Sequence, residues 1–488
     1  MTTKSILTYG SKVAQVSQDF YAPVAILPTV LLPGYNPVIG TLYVFLSRID
    51  PWADENNPES PQQTQQYIKS VFKNIFVAKK ITQDRVSGVI SRVNWTSGVT
   101  YDYYSDIVDI LELDSVGNNV YNFYVKNSYN QIFKCLWNNN GSPSTVEPFF
   151  TPAQYNTNNN IFQGPDGYKW KYIYSVPAGD ALKYMDDTWM PIHLGALYTS
   201  TTPDPLETTA GWGDIEVINV TNGGSGYGPS NTIVTISGDG LSASAKANVV
   251  NGSVVDVIVT NPGSFYTTAS VNISVNDNGT GSGATAIAPI SPIGGHGMDP
   301  SSELGCHNFM FSVEFNGSEG TNANNYPYIP TNIEYRQLGL LINPDAYDTI
   351  VPSTAPGNLS GQTILLPANS NIYKVSTLLT VAPGPGNYIQ DEVIYQGGTS
   401  LATATFFATV LNWDAANNII DVINITGTPI VNSPVFGDSS GVTRTLLPNG
   451  IVTPTFIPFS GYMAYIENRT GITRSQTGIE QFKIVLGY

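Results

Sequence analysis

Histidine and cysteine, the side chains that most often carry catalysis or bind transition metals, are scarce in this chain. There are three histidines and two cysteines, at His193, His296, His307, Cys135 and Cys306. Imidazole and thiolate are good metal ligands, and four donors lie close in sequence: His296, Asp299, Cys306 and His307. Their spacing matches no known zinc pattern. His193 stands in the apolar segment MPIHLG, which favours a packing role, so the sequence predicts no metal and no cofactor.

Paired carboxylates could support glycoside hydrolysis, which needs two acidic side chains flanking a sugar. The acidic candidates are Asp102, Asp106, Asp109, Asp186 and Asp187. Nothing in their spacing distinguishes them from solvated charges. The chain also has no G-x-S-x-G nucleophile elbow and no phosphate-binding P-loop. The sequence therefore predicts no catalytic residue, and we expect a protein that is not an enzyme.

Length and charge limit the possible classes further. A chain of 488 residues exceeds the size at which a single core stops growing, so more than one domain is expected. The net charge is −16, with 21 basic against 37 acidic residues, which argues against nucleic-acid binding because phosphates are neutralised by Lys and Arg. No apolar run is long enough to span a membrane, and the N-terminus lacks the apolar core of a signal peptide. Synthesis in the cytoplasm and no membrane partner are therefore expected.

Glycine and proline, at 45 and 33 residues, predict many short strands joined by tight turns. The clearest helix is predicted to begin at residues 60–63, SPQQ, which can form a capping box with proline in the first turn. Apolar pairs then recur one turn apart as far as residues 75–76. A second, short helix is predicted near residues 178–185. Residues 106–114 fit either a strand or a short helix.

Two tracts have the character of separate β-modules. Residues 215–227, IEVINVTNGGSGY, return as residues 254–266, VVDVIVTNPGSFY, at an offset of 39. Such a period indicates a repeated supersecondary unit, and we expect the tyrosine of each copy to pack over its glycines. Residues 347–455 contain strand-like runs between turn clusters and predict a small antiparallel barrel or sandwich.

Residues 164–177, GPDGYKWKYIYSVP, combine a turn, a strand and a terminating proline. Because side chains alternate along a strand, four aromatic residues should share one face and two lysines the other. The aromatic residues are Tyr168, Trp170, Tyr172 and Tyr174, and the lysines are Lys169 and Lys171. A half-buried strand with an aromatic core face is the simplest interpretation.

This segment and five others resemble, in the same order, the dimeric baseplate wedge subunit of contractile-tailed phages of the T-even kind. The others are RIDPW (48–52), RVNW (92–95), FKCL (133–136), YRQLGLLINP (335–344) and the C-terminal run from YIENRTG (465–488). A loop, GGHGMD (294–299) followed by ELG, also resembles a junction loop of such subunits. The resemblance covers residues 35–197, 294–346 and 457–488, and its collinearity carries the identification.

The resemblance implies a mainly β protein, a β-sandwich scaffold with a small α-helical insertion and two inserted all-β modules. The implied order is scaffold over 1–205 with the helical insertion near 55–90, a β-repeat module over 206–290, scaffold over 291–346, a β-barrel or sandwich module over 347–455, and scaffold strands over 456–488. The expected function is structural: a virion protein of the tail baseplate that dimerises and links other wedge proteins around the hub, for assembly and for triggering tail contraction.

The expected partners are a second copy of the chain, other wedge proteins and, through the inserts, tail-fibre proteins. Candidate scaffold or interface residues are Trp52, Trp95, Tyr168, Trp170, His296, Tyr335, Arg336, Asn468 and Arg469. The alternative is a tail-associated glycan-binding protein or depolymerase, because β-modules often present sugar-binding loops.

Overall fold

The computed structural model describes residues 41–115, 119–151, 160–192, 212–276, 279–317, 319–321, 327–329, 331–349, 363–368 and 370–487. Among these, the chain divides into two compact units. Unit 1 contains residues 87–310 and 484–487, and unit 2 contains residues 41–86 and 311–483. His193 lies outside the described residues. None of the helices in the described ranges has the length and apolar character needed to cross a bilayer.

The described residues form three α-helices and 29 strands, which confirms the mainly β prediction. The helices are α1 (Gln65–Asn74), α2 (Ala178–Tyr184) and α3 (Pro300–Glu303). The strands are β1 (Leu42–Ser47), β2 (Ile75–Lys80), β3 (Val86–Ser91), β4 (Tyr124–Lys126), β5 (Gln131–Trp137), β6 (Ile161–Gln163), β7 (Lys169–Ser175), β8 (Trp189–Ile192), β9 (Asn219–Ser225), β10 (Thr232–Gly238), β11 (Ser244–Val250), β12 (Ser253–Asn261), β13 (Ala269–Val275), β14 (Ser282–Ile287), β15 (Asn308–Asn316), β16 (Glu319–Thr321), β17 (Pro327–Ile329), β18 (Glu334–Ile342), β19 (Asp345–Thr349), β20 (Thr363–Pro367), β21 (Ile372–Lys374), β22 (Thr377–Val381), β23 (Val393–Gln396), β24 (Phe406–Asp414), β25 (Ile419–Thr426), β26 (Pro434–Gly437), β27 (Thr443–Val452), β28 (Tyr462–Thr473) and β29 (Ile479–Gly487).

Unit 1 contains a four-stranded antiparallel sheet of order β4-β5-β7-β6. The predicted turn before β7 forms, with Gly167 at a φ of 82° and its N–H donating to the Gly164 carbonyl at 3.0 Å. One face of the sheet builds an aromatic core in which the Tyr168 and Trp170 rings stack at 5.5 Å. The core contains Tyr101, Val125, Phe133, Cys135, Phe150, Tyr168, Trp170 and Tyr172. The predicted alternation is confirmed for Tyr168, Trp170 and Tyr172 against the two lysines. Tyr174 lies outside this core, because a register shift between Ile132 and Phe133 pairs it with Ile132.

The repeat module is built by exchange of strands between its two copies. The first copy supplies β9, β10 and β11, and the second supplies β12, β13 and β14. Strand β9 pairs with β14, β11 with β12, and β10 with β13, all antiparallel. Every sheet therefore combines one strand from each copy, and neither copy closes its own hydrogen-bond ladders.

The two repeat tyrosines occupy equivalent places in this module. Tyr227 packs against Gly224 and accepts a hydrogen bond from the Ala284 N–H at 3.2 Å. Tyr266 packs against Gly263 and accepts one from the Ala243 N–H at 3.3 Å. The predicted packing of tyrosine over glycine is confirmed.

Unit 2 is organised around a five-stranded sheet of order β21-β2-β1-β18-β28. Helix α1 begins later than predicted, because the Thr64 hydroxyl caps it by accepting the Tyr67 N–H at 3.3 Å. The prediction of a capping box at residues 60–63 was wrong. The apolar residues 75–78 belong to β2, where they are buried on both faces and so imitate a helical pattern. Most of the predicted helical insertion near 55–90 is therefore not helical.

Residues 377–452 of unit 2 close a six-stranded barrel of order β22-β25-β24-β23-β26-β27. Of the two predicted alternatives for this tract, the barrel forms. Its interior is apolar and includes Leu379, Tyr388, Ile394, Phe406, Val410, Ile420, Val422, Val435 and Leu446. A buried ion pair, Lys374 Nζ to Asp421 Oδ2 at 2.5 Å, joins β21 to the barrel strand β25.

Of two further expectations, one differs from the structure and one is confirmed. Residues 106–114 form turns with an isolated bridge, Leu113 to Asn119, instead of a strand or helix. Helix α2 forms as predicted near residues 178–185. Strand β28 runs without a break from Tyr462 to Thr473, and its residues Glu467 and Asn468 pair with β18.

Two glycines of the repeat module form a matched pair for testing close packing. Gly252 has a φ of 84°, and a Cβ there would meet only ordinary contacts, the nearest at 3.6 Å from the Gly226 nitrogen. Gly263 has a φ of 69°, and a Cβ there would lie 2.5 Å from the Leu241 carbonyl oxygen. We expect Gly252→Ala to cost about 1–2 kcal/mol from backbone strain alone. Gly263→Ala should lower the free energy of unfolding clearly more than Gly252→Ala, because the backbone must also move. Hydrogen exchange of the β11 and β12 amides measures both, and equal costs would contradict the packing argument.

Candidate functional site

Four lysines of the unit 1 sheet are buried on the face opposite its aromatic core. Lys126 on β4 donates to the Asn127 carbonyl at 3.0 Å, and the other three lie on the central strands. Lys134 lies on β5, and Lys169 and Lys171 lie on β7, with exposed fractions of 1%, 6% and 4%. Lys134 and Lys171 are direct partners across the two strands. Burying three cations on one face requires nearby anions, because an unpaired buried charge is strongly unfavourable. We call Lys134, Lys169 and Lys171 the lysine face.

Two of these lysines fasten the repeat module to the sheet. Lys169 Nζ lies 2.9 Å from Asp256 Oδ1 and also donates to the Ile218 carbonyl at 2.9 Å. Lys171 Nζ lies 2.5 Å from Glu216 Oε2. The Asn219 side chain adds a buried hydrogen bond to the Leu136 carbonyl at 2.8 Å. The module is thus bound to the sheet through specific polar contacts.

The third lysine, Lys134, belongs to a fully buried network with the loop GGHGMD (294–299), which we call the Gly-rich loop. Lys134 Nζ lies 2.8 Å from Glu303 Oε1, and His296 Nδ1 lies 2.6 Å from the same oxygen and 3.3 Å from Nζ. The Gly297 N–H donates to Glu303 Oε2 at 2.7 Å. The Tyr104 ring covers the site, with its centroid 3.8 Å from Nζ. Lys134, Glu303 and His296 form the buried triad.

The loop geometry explains how the buried triad is assembled. Gly294, Gly295 and Gly297 all have φ near +88°, a conformation that side chains rarely adopt. This backbone folds His296 inward and aims the Gly297 N–H at Glu303. Asp299 then caps α3 by accepting the Ser302 N–H at 3.1 Å, and α3 carries Glu303 back to the loop. The glycines therefore allow close approach to the sheet of the same unit.

Electrostatics within the triad favour an ionised carboxylate and a neutral imidazole. Burial acts to raise the pKa of Glu303, but Lys134 and His296 outweigh it and hold this pKa well below its usual range. Burial, and then the neighbouring Lys134, lower the pKa of His296. Burial also lowers the pKa of Lys134. The imidazole is therefore neutral at physiological pH.

Unit 2 contains a second polar junction, centred on Arg336 of β18. Its guanidinium contacts Glu55 Oε1 at 2.7 Å and Glu334 Oε2 at 2.6 Å, and it donates to the Ile49 carbonyl. Glu55 also accepts the N–H groups of Trp52 at 2.8 Å and Gly471 at 3.2 Å. The loop after β1 is thereby tied to β18 and β28.

Neighbouring side chains extend this junction to helix α1. Trp52 Nε1 donates to the Arg469 carbonyl at 2.8 Å. The Asn468 amide contacts the Tyr67 hydroxyl at 2.8 Å and accepts from Gln337 Nε2 at 2.8 Å. The segments RIDPW, YRQLG and YIENR, far apart in sequence, thus meet in one hydrogen-bonded cluster, which we call the Arg336 junction.

The remaining predicted residues lie in the cores. Tyr168 and Trp170 are fully buried, and Trp95 packs against the same aromatic cluster while its Nε1 donates to Ser144 at 3.0 Å. Tyr335 is buried beside Phe482 at a ring distance of 6.1 Å. These nine residues separate into the aromatic core, the buried triad and the Arg336 junction with its adjoining core.

Sequence reasoning missed the acidic partners of the lysine face: Glu216, Asp256 and Glu303. Lysines that alternate with aromatic residues in a strand between apolar segments are a signal for buried cations, and that signal was available. The sequence does not indicate which carboxylates pair with these lysines, because the paired residues lie 45 to 169 positions apart.

The imagined metal ligands do not converge. His296 faces Glu303, the Cys306 thiol points to the Val89 carbonyl at 3.7 Å, and His307 Nδ1 contacts the Gly305 carbonyl. In the described ranges, no group of three or more His, Cys, Asp or Glu side chains could hold a metal ion. Of the acidic candidates, Asp186 organises a turn by accepting the N–H groups of Thr188 and Trp189.

A polar cleft of about 230 Å³ lies where the repeat module meets the sheet turns. Four amide side chains line its wall, together with the ion pair of Lys169 and Asp256. The lining includes Trp137, Asn139, Asn140, Gln163, Asn222 and Asp256. Such a wall offers donors and acceptors to a hydroxylated ligand.

One end of the repeat module is apolar and exposed, whereas the equivalent end is polar. The equivalence rests on matching contacts: the Tyr266 N–H donates to the Gly213 carbonyl, and the Tyr227 N–H to the Gly252 carbonyl. Trp212, Leu241 and Phe265 have exposed fractions of 60%, 63% and 66%. Their counterparts are Asn251, Ser282 and Gly226, respectively; Leu241 matches Ser282 because their carbonyls lie against Gly263 and Gly224 in the same way. Since the fold is repeated, packing alone does not require these three apolar side chains.

Comparison with known proteins adds no assignment. No protein-family model matches the chain, and no curated protein matches it.

The buried ion pair to the repeat module can be tested against an exposed contact on the same carboxylate. Asp256→Asn removes the charge that faces buried Lys169, and we expect a loss of about 3 kcal/mol. Gln163 bonds the other carboxylate oxygen at the surface, so Gln163→Ala should cost less than about 1 kcal/mol. Hydrogen exchange of β7 and β12 amides gives the opening free energies. Similar losses for both variants would contradict a docking role for Lys169.

His296 should give the protein a characteristic loss of stability in mild acid. The unfolded chain takes up a proton below about pH 6.5, whereas native His296 stays neutral because its pKa is lowered. The free energy of unfolding should therefore fall by up to about 1.4 kcal/mol per pH unit between about pH 6.5 and 5. Glu303, whose pKa is lowered, loses its contribution only below about pH 4.3.

Urea denaturation across this pH range measures the effect. In the His296→Gln variant, the free energy of unfolding should depend less steeply on pH, because one titrating proton is removed. An unchanged slope would show that His296 is protonated in the native state.

Proposed function

We propose that this chain is a non-enzymatic structural subunit of a contractile phage tail, located in the baseplate wedge. The observation that carries the proposal is the convergence of the segments on which the resemblance rests. RVNW, FKCL and GPDGYKWKY share the aromatic core, and FKCL and GGHGMD share the buried triad. RIDPW, YRQLG and YIENR share the Arg336 junction.

The chemistry of these places supports a structural role. Their charged groups are engaged by other protein groups and are buried or half-buried, so they hold segments together and present no reactive group to a ligand. A subunit that must keep its shape while neighbours exchange contacts needs such internal fastening.

We place the homodimer contact on the scaffold and the contacts with other wedge or fibre proteins on the inserts. The apolar end of the repeat module supports the second assignment, because exposed clusters of large apolar side chains mark protein contacts. Three side chains offer far less than the roughly 800 Å² per partner of a stable interface. This end is therefore suited to a secondary contact with a neighbouring subunit.

Purified virions of the encoding phage test the location. Antibodies against the chain should label the distal end of the tail in electron micrographs, and the chain should be present in every particle. Its absence from virions, or labelling at the head or neck, would contradict the proposal.

Light scattering of the purified chain tests the dimer. The mass should be that of two chains, and it should be retained when Trp212, Leu241 and Phe265 are exchanged for Asn, Ser and Gly, as at the equivalent end. A monomer, or a dimer lost in this variant, would contradict the placement on the scaffold.

A glycan-binding role is the second candidate, and the polar cleft favours it. Neutral host polysaccharide should then perturb the tryptophan fluorescence or the NMR spectrum of the chain, and Asn140→Ala with Asn222→Ala should abolish the change. Absence of any change at millimolar repeating unit would dismiss this candidate, and release of oligosaccharides would show a depolymerase instead.

A further inference from the structure

The buried triad contains all the groups needed to form a covalent bond. Lys134 Nζ lies 2.8 Å from Glu303 Oε1, and His296 Nδ1 contacts both atoms, at 3.3 Å and 2.6 Å. The Gly297 N–H holds the other carboxylate oxygen at 2.7 Å. All three side chains are at most 4% exposed. A nucleophile, an electrophile, a proton carrier and an oxyanion donor thus meet away from water.

We propose that Lys134 and Glu303 condense to an intramolecular amide, an isopeptide bond between β5 and the end of α3. The reaction is a dehydration: the Nζ–Cδ bond forms and the Cδ–Oε1 bond breaks. The ammonium loses two protons, and both leave with Oε1 as one water molecule. No oxidant, reductant or co-reactant is needed, and the charges of the ion pair cancel.

The surrounding groups supply each step. Lys134 Nζ passes one proton to Glu303 Oε1, 2.8 Å away, and the Nδ1–H of neutral His296 donates to the same oxygen at 2.6 Å. As Oε1 leaves as water, His296 Nδ1 gives it this proton and takes the second proton of the amine, acting as acid and then as base. The Gly297 N–H stabilises the negative charge that develops on Oε2 in the tetrahedral intermediate. Burial lowers the pKa of Lys134, which eases release of the first proton. The low pKa of Glu303 means that attack waits for proton transfer to the carboxylate, so the reaction is expected to be slow.

Other buried pairs in the chain provide internal controls. Lys171 and Glu216 are closer still, at 2.5 Å, and both are buried. The carboxylate that His296 contacts is Glu303, however, and the Gly297 N–H also points to Glu303. We therefore assign the reaction to Lys134 and Glu303 and expect the Lys171–Glu216 pair to remain ionic.

The bond would close a loop of 169 residues and fix the Gly-rich loop to the sheet. A covalent closure of this kind limits the unfolded chain and resists forced separation of the two segments. It would not depend on where the protein acts, so its test is independent of the proposed function.

Intact-mass measurement of the denatured full chain decides the matter. After incubation at neutral pH, the wild-type mass should be lower by one water, about 18 Da, and proteolysis should yield one branched peptide joining Lys134 to Glu303. Lys134→Arg keeps the charge but cannot condense at this position, and should show its full calculated mass. His296→Gln should form the bond several-fold more slowly.

A wild-type chain that keeps its full mass after prolonged incubation would overturn the proposal, whatever the variants do. A mass loss that maps to Lys171 and Glu216, or that persists in Lys134→Arg, would also overturn it.

Discussion

The lysine face is the constraint on which unit 1 depends. A strand that alternates aromatic residues with lysines can bury its aromatic side easily, but its other side can be covered only if every cation finds an anion. Glu216, Asp256 and Glu303 meet that requirement from segments that follow the sheet in the chain. The repeat module and the Gly-rich loop are therefore positioned by charge as much as by apolar packing.

Buried ion pairs contribute less to stability than to the choice of one arrangement. Removing both partners of such a pair often costs little, whereas removing one leaves an uncompensated charge. A module joined to the sheet by Lys169–Asp256 and Lys171–Glu216 can take only the orientation in which both pairs form. The Arg336 junction applies the same principle in unit 2, where one guanidinium engages two carboxylates and a carbonyl.

The internal duplication of the repeat module is informative in two ways. Exchange of strands between copies makes the pair one folding unit, with Tyr227 and Tyr266 playing identical parts. Comparison of the two copies also shows which side chains the packing of the module does not require. Trp212, Leu241 and Phe265 have polar or glycine counterparts in the same fold, so their exposure points to a contact outside the chain.

Sequence alone determined the features that depend on local pattern: the mainly β class, the aromatic and lysine faces of β7, the repeat with tyrosine over glycine, and the short helix α2. These follow from alternation, turn chemistry and periodicity, which act over a few residues. The start of α1 was missed because Thr64, and not Ser60, caps the helix. Its end was missed because β2, a strand buried on both faces, imitates a helical pattern. The partners of Lys134, the cluster around Arg336 and the pairing of β9 with β14 were decided only by the tertiary structure. Contacts between residues 57 to 417 positions apart depend on chain topology, and no local pattern encodes that topology.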